Sequence, residues 1–440
     1  LNKQSKTDDA QHRNEKTLYD FSGQEYQYVN IPKVDTSFIL DHKDLYSMYK
    51  NEGYDFDTPG FLKYRRESDK VVSYLVKEFE LRKNAEQMKR ARTSKTGELN
   101  MSKIFSYKFN DDIFKKTTII NGGKSHGLVM FLDWSGSMAD HIGNTMKQLY
   151  NLAFFCKKVN IPFEVYSFIE RPYQAKEFKQ DCKKDDLVLS KFGLANILSS
   201  RMNSSEMTFA CSALYCLSGL RGRYSHQPYW LTMQGTPLNE TIIAAMEIVP
   251  QFQKKYKLQN VNTVFLTDGE GHRLSQVFLS SNYYDTNRFE YGKSTHVVLR
   301  DPVTKQQESY QVDFSSINQT KALIKLLKSR TNSNVIGFYI ANGREFGRRM
   351  FDFYPETKGD YLKQDKIKEG FRKEKFLVVE NSGFDEYYIL RTNGLDTDEN
   401  NKFDEVETST TKGLVSAFSK YSGSKINNRV ILNRFINLIT

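Results

Sequence analysis

GLVMFLDWSGSM, residues 127–138, decides how the rest of the chain is read. Five apolar residues, Leu128 to Leu132, run without interruption and end on Asp133. Such a run marks a strand buried on both faces, as in a parallel sheet covered by helices. Beyond it, Asp133, Ser135 and Ser137 stand at i, i+2 and i+4, so one carboxylate and two hydroxyls can converge on one ion. Gly136 is expected to let the backbone turn tightly between the serines. A helix is predicted from Asn144 to Lys158, with Met146, Tyr150, Ala153 and Phe154 on one side. Its free N–H groups would sit beside the loop. Ligands of open α/β sheets lie beyond the carboxyl ends of the strands, which is where this loop falls.

The same pattern recurs downstream. FEVYSFI (163–169), VNTVFLT (261–267) and VIGFYIA (335–341) read as further strands. Residues 207–220 read as a helix or an inserted apolar segment, and a helix is predicted over 238–249, ended by Pro250. Apolar strands alternating with helices imply βαβ units around a mainly parallel sheet, an α/β fold. This domain is expected over 121–344, with an insertion at 272–318 that holds a hairpin turning at Asp301-Pro302 and running to Gln311. A helix with Ala322, Leu323, Leu326 and Leu327 then leads into the strand at 335–341.

Around it, residues 1–64 read as an N-terminal extension, with a polar start and short strands in 17–45 that can wrap over a neighbouring domain. Residues 65–120 form a helical region. Its long charged helix at 65–93 carries Val72, Leu75 and Phe79 on one stripe, breaks at Gly97, and is followed by a short element with Ile104, Phe105 and Tyr107. A charged insertion is expected at 345–410, with surface loops at 361–376 and 393–411, and a closing helical segment at 411–440.

Two more strings add oxygen donors to the loop after Asp133. Gly235-Thr236-Pro237-Leu238 opens a helix, and Thr236 offers a third hydroxyl, with Thr208 and Thr232 as neighbouring alternatives. Leu266-Thr267-Asp268-Gly269 closes a strand, and Asp268 offers a second carboxylate. Asp133, Ser135, Ser137, Thr236 and Asp268 together make an all-oxygen set. It suits Mg2+, with Ca2+ or Mn2+ as alternatives, and leaves a position that a partner's carboxylate can fill. Trp134 either packs against the loop or faces that partner. Asp140, His141, Asn239, Glu240, Glu270 and His272 are neighbours that can reach an ion through water.

Other chemistry finds little footing. The chain has 440 residues and a formal charge of +11, from 64 Lys+Arg against 53 Asp+Glu. The basic residues are interleaved with acids, which argues against nucleic acid as a partner. Gly219-Leu220-Arg221-Gly222 matches a G-x-x-G clamp only as four letters. The seven histidines form no H-E-x-x-H. Gly123-Lys124-Ser125-His126-Gly127 spells G-x-S-x-G but precedes its strand instead of following one. A phosphate loop ending at Gly123-Lys124-Ser125 would need glycine where Thr118 stands. No catalytic residue is therefore assigned, and the chain is not expected to hydrolyse ATP itself. Cys156, Cys182, Cys211 and Cys216 form no C-x-x-C pair, which favours a reducing compartment. No 18-residue apolar run exists, so neither a membrane span nor a signal peptide is expected in this sequence. The start at Leu1 reads as a trimmed or processed product.

FLDWSGSM (131–138), GTPLNETI (235–242) and FLTDGEG (265–271) together resemble a von Willebrand factor A domain. The flavour is that of the A-domain subunit of aerobic cobaltochelatase and its relatives in large tailed phages; residues 85–115 resemble the region ahead of that domain. The likeness spans roughly 65–345. It implies a von Willebrand factor A-type, Rossmann-like fold with an N-terminal helical extension and two insertions. It implies that Asp133, Ser135, Ser137, Thr236 and Asp268 hold the metal of an adhesion site. It further implies a AAA+ ATPase of the MoxR/chelatase type as partner, and a client protein that the pair remodels. The family's long acidic stretch is missing here and two insertions are present, so a different client is expected. The alternatives are a structural or virion-associated interaction protein, and a chelatase subunit proper. The expected location is the cytoplasm, that of the host cell for a viral protein, or the virion.

Overall fold

The structure is a computed structural model that describes residues 26–53, 58–90, 92–104, 108–109, 114–119, 125–170, 180–190, 192–219, 233–281, 285–288, 296–312 and 315–392. In chain order the strands ahead of the first long apolar run are β1 (Tyr26–Asn30), β2 (Arg92–Leu99) and β3 (Phe114–Ile119). The central run supplies β4 (His126–Asp133), β5 (Phe163–Glu170), β6 (Phe192–Ser199) and β7 (Asn260–Thr267). Then come β8 (Gln276–Phe278), β9 (Thr286–Arg288), β10 (His296–Arg300), β11 (Gln307–Gln311), β12 (Asn334–Ala341), β13 (Phe376–Val378) and β14 (Glu386–Arg391). The helices are α1 (His42–Asn51), α2 (Thr58–Arg90), α3 (Ile142–Lys158), α4 (Ser204–Gly219), α5 (Leu238–Tyr256), α6 (Ile317–Thr331), α7 (Gly343–Phe353) and α8 (Tyr361–Glu374).

Seven strands form the main sheet in the order β13-β14-β12-β7-β4-β5-β6. The four inner pairings are parallel, and β13 and β6 run antiparallel at the two edges. From β4 the chain builds outward to β5 and β6, then returns to the other side of β4 with β7, β12 and β14. This reversal is the switch point of a doubly wound sheet, and it lies between β4 and β7. The pleat sends Leu128, Met130 and Leu132 into one core and Val129 and Phe131 into the other. The first core is closed by α2, α3 and α4 through Phe61, Leu149, Phe155 and Leu214. The second is closed by α5 and α6 through Ile242, Met246, Leu323 and Leu327. Helices on both faces are the reason the central strand is apolar from Leu128 to Leu132.

Several local expectations change. The helix expected from residue 65 begins at Thr58, because Phe61 and Tyr64 already pack against Tyr150 and Tyr215. The break expected at Gly97 is instead inside β2, which pairs antiparallel with β3; Phe105 and Tyr107 lie outside the described residues. Pro250 does not end α5. It removes one backbone donor, but burial of Phe252 and the αL cap at Lys257, whose N–H reaches Gln253 and Lys254, carry the helix to Tyr256.

The hairpin turning at Asp301-Pro302 is present as β10 and β11, and β1 adds to it in parallel. Of the short strands expected in 17–45, β1 is the one among the described residues. The stretch 345–410 does more than loop: β14 from within it is a parallel strand of the main sheet beside β12. The stretch 361–376, expected as a surface loop, holds α8 and the first residue of β13. The expected loop at 393–411 and helical segment at 411–440 lie outside the described residues. The four cysteines are free. No helix among the described residues is long and apolar enough to cross a membrane.

Candidate metal centre

The site grows out of the register between β4 and β7. Leu132 is paired with Leu266, so Asp133 emerges beside Thr267 and one residue before Asp268. Asp133 is fully buried. Its Oδ1 accepts the Ser135 N–H at 2.9 Å, and its Oδ2 accepts the Thr267 hydroxyl at 2.6 Å. The Ser135 and Ser137 hydroxyls lie 3.0 Å apart, and Ser137 Oγ donates to Asp268 Oδ1 at 2.8 Å. Four of the five expected ligands thus form one connected cluster at the switch point. It runs from a buried carboxylate to an exposed serine, so its outer end faces solvent.

Thr236 reaches the same place from another side. A parallel bridge between Ser135 and Gln234 ties its segment to the loop, with the Gly136 N–H donating to the Gln234 carbonyl at 2.8 Å. A Cβ placed on Gly269 would lie 3.2 Å from the Thr236 hydroxyl, so Thr236 rests against the Thr267-Asp268-Gly269 turn. Its carbonyl accepts the N–H groups of Leu238 and His272. Of the two alternatives, Thr208 lies in α4, where its hydroxyl donates to Ser204 and accepts from Arg65. Thr232 is outside the described residues.

Gly136 plays a different part from the one expected. Its φ of −62° and ψ of −32° suit any residue, and an added Cβ would meet only the Gln234 carbonyl, at 3.9 Å. The backbone bond to Gln234, not glycine's freedom, sets this turn. Gly271 is the tighter position. A Cβ there would lie 2.8 Å from the Leu238 Cβ and 3.3 Å from the Asn239 backbone nitrogen, at the start of α5. Gly271→Ala is expected to destabilise the fold by about 1–3 kcal/mol. Chemical denaturation measures this, and an unchanged midpoint would contradict the close approach.

Electrostatics set the site's chemistry. Burial pushes the Asp133 carboxyl up to about 7, and the nearby Asp268 charge pushes the same way, while the bonds from Thr267 and Ser135 oppose it. Burial also raises Asp268, against the Ser137 bond and the His141 ring. Neither carboxylate has an ion pair among the described residues. Two interacting carboxylates with no lysine or arginine paired to them among the described residues, beside hydroxyl oxygens, fit a hard divalent cation. Among the described residues no group of three His, Cys, Asp or Glu is placed to hold a metal.

The neighbours divide by role. Trp134 is fully buried within the core, which settles it as packing. Glu270 points away from the cluster, bonded to Ser315, Ser316 and Arg349. Asn239 donates to the His272 carbonyl and to Gln319, bracing the turn. Glu240 is buried, bonded through one oxygen to Ser190, and burial pushes it up to about 7. The residue that sequence reasoning missed is Thr267. It was visible as the first letter of Thr-Asp-Gly, but its bond to Asp133 follows only from the strand register. The strings Gly123-Lys124-Ser125 and Gly219-Leu220-Arg221-Gly222 fall largely outside the described residues.

No protein-family model matches the chain, and no curated protein matches it. Among solved structures it is similar to the pilus adhesin SpaC from Lactobacillus rhamnosus GG, at 14% identity and a TM-score of 0.27, over 50% of this chain and 25% of the adhesin. The same adhesin in an open conformation gives 12% identity and a TM-score of 0.26, over 50% and 24%. The human COPII-coat protein Sec24c gives 9% identity and a TM-score of 0.22, over 50% and 27%. The chain spans about a quarter of the length of each of these structures. Likenesses this loose carry no argument about what the chain does.

Proposed function

We propose that the chain is a metal-dependent protein-binding adaptor built on a von Willebrand factor A-type domain. The reading rests on one observation: Asp133, Ser135, Ser137 and Asp268 are hydrogen-bonded into one cluster at the switch point of the sheet, with Thr236 against its turn. These five residues would hold Mg2+, or Ca2+ or Mn2+ in its place. When bound, the cation supplies a Lewis-acidic position that accepts a carboxylate from a partner. The chain's own part is to fix the oxygen donors. Ser135 and Thr267 orient Asp133, Ser137 orients Asp268, and the buried end of the cluster excludes water from one side.

The partner in this reading is a AAA+ ATPase of the MoxR/chelatase type that remodels a client, with the cytoplasm as location. It follows from the resemblance of the three motifs to the cobaltochelatase A-domain subunit. Affinity capture with magnesium and with EDTA tests it. A AAA+ ATPase of this type is expected to be retained only with magnesium and lost from the Ser135→Ala/Ser137→Ala double variant. Retention that ignores both EDTA and the variant would reject it. If the chain instead co-purifies with assembled particles at fixed copy number, the virion-associated reading replaces it. Restored metal insertion on mixing with the ATPase and a tetrapyrrole-binding subunit would favour the chelatase reading.

A further inference from the structure

We propose that a second site, the cleft between the β1-β10-β11 sheet, the 181–186 segment and helices α5 and α6, binds a small molecule that carries several phosphate charges. The cleft has a volume of about 960 Å³, the size of a cofactor or metabolite site. Met246 and Pro250 line it, more than two helical turns along α5 from Thr236, so it is separate from the cation cluster.

Its charges are not balanced internally. Arg330, part-buried, is spoken for, paired with Glu247 and with the buried Asp301. Asp186 is buried too, and its carboxylate accepts the Lys183 backbone N–H at 3.1 Å, which closes the turn. That leaves Lys33, Lys183, Lys184, Lys305 and Arg300 on the lining, against Asp181 and Asp186; with Arg330 shared between Glu247 and Asp301, the lining as a whole holds six cations against four anions. The four lysines are exposed and make no ion pair among the described residues. Arg300 is held over the Tyr28 ring, 5.5 Å from its centroid. Its Nε is buried with no hydrogen-bond partner among the described residues. A buried guanidinium donor without an acceptor is costly, and because Arg300 lines the cleft, a small movement of its side chain would bring this donor to a ligand oxygen.

The mix of groups selects the ligand. Lysines bind phosphate as point charges, and an arginine fork matches phosphate oxygens geometrically. Five cations around one concave space call for a compact ligand with several negative charges. A chain of phosphates meets this better than a mono- or dicarboxylate. A nucleotide or free polyphosphate offers the same chemistry.

Calorimetry on the full chain in EDTA tests the proposal, with sodium tripolyphosphate, ATP and citrate as probes. Tripolyphosphate is expected to bind saturably, and the Lys33→Glu/Lys184→Glu variant to weaken it by roughly tenfold or more. Both lysines are exposed, so the variant should keep the native circular dichroism. Asp133→Asn should leave the binding unchanged. ATP binding that is lost in the same lysine variant would identify a nucleotide; tripolyphosphate binding with ATP silent would identify a free polyphosphate. Absence of saturable binding at about 1 mM would overturn the proposal. So would binding that ignores the lysine variant, or citrate binding as tightly as tripolyphosphate.

Discussion

Asp133→Asn is expected to abolish magnesium binding while leaving the fold intact. The asparagine can keep most of the local bonds. Its Oδ1 still accepts the Ser135 N–H, which Asp133 accepts at 2.9 Å. Its Nδ2 cannot accept from Thr267, but the Thr267 hydroxyl can turn to accept from it while donating to the Gly269 carbonyl, already 3.1 Å away. The substitution also removes a fully buried charge beside Asp268. The metal-free variant at a pH above 7 should therefore be as stable as the parent or more so. Magnesium affinity should fall by at least about 100-fold, some 3 kcal/mol, because a buried anionic ligand becomes neutral. Titration calorimetry and the magnesium-induced rise in melting temperature both read this. A variant that keeps the parent's magnesium-induced rise would remove Asp133 from the site.

The contrast between Asp133 and Thr267 shows what could be read from residues alone. Asp133, Ser135 and Ser137 stand two positions apart on one loop, and Asp268 closes an apolar run, so a local reading reaches them. Thr267 matters because Leu132 pairs with Leu266, and register is a long-range fact. Strands β4, β5, β7 and β12 were legible to within one residue because burial on both faces leaves an uninterrupted apolar run, as in Leu128 to Leu132. Strands β6 and β14 were not. Phe192–Ser199 holds Gly193 and Asn196, and was not singled out. Glu386–Arg391 sits in a charged stretch read as an insertion, although Tyr388, Ile389 and Leu390 are buried in the sheet. Its apolar run is too short to announce a strand without its neighbour β12. Pro250 misled for a related reason: the cost of one missing backbone donor is local, whereas the burial of Phe252 that offsets it is tertiary.

In EDTA the chain should lose stability as pH rises from about 4 to about 7, and magnesium should restore it. Asp133 has an ordinary carboxyl value of 3.8 when unfolded and is pushed up to about 7 when buried in the fold. The folded state therefore holds this proton more tightly. Its contribution to stability is complete below the unfolded value and is lost as pH rises through the folded one. The full loss is on the order of 4 kcal/mol, with Asp268 adding in the same direction. Glu240, also pushed up to about 7 by burial, adds a parallel slope that has nothing to do with the cation cluster. Asp133→Asn separates the two, since it should flatten only the Asp133 part. Magnesium needs the deprotonated carboxylates, so its binding releases protons. Its apparent affinity should rise about tenfold per pH unit for each proton displaced below pH 7, and its stabilising effect should be small near pH 5 and large near pH 8. Melting curves at those two values, with magnesium and with EDTA, on parent and variant, give the answer. A magnesium-induced shift of equal size at both would mean that the ion does not displace the Asp133 proton, and the site would have to be sought elsewhere.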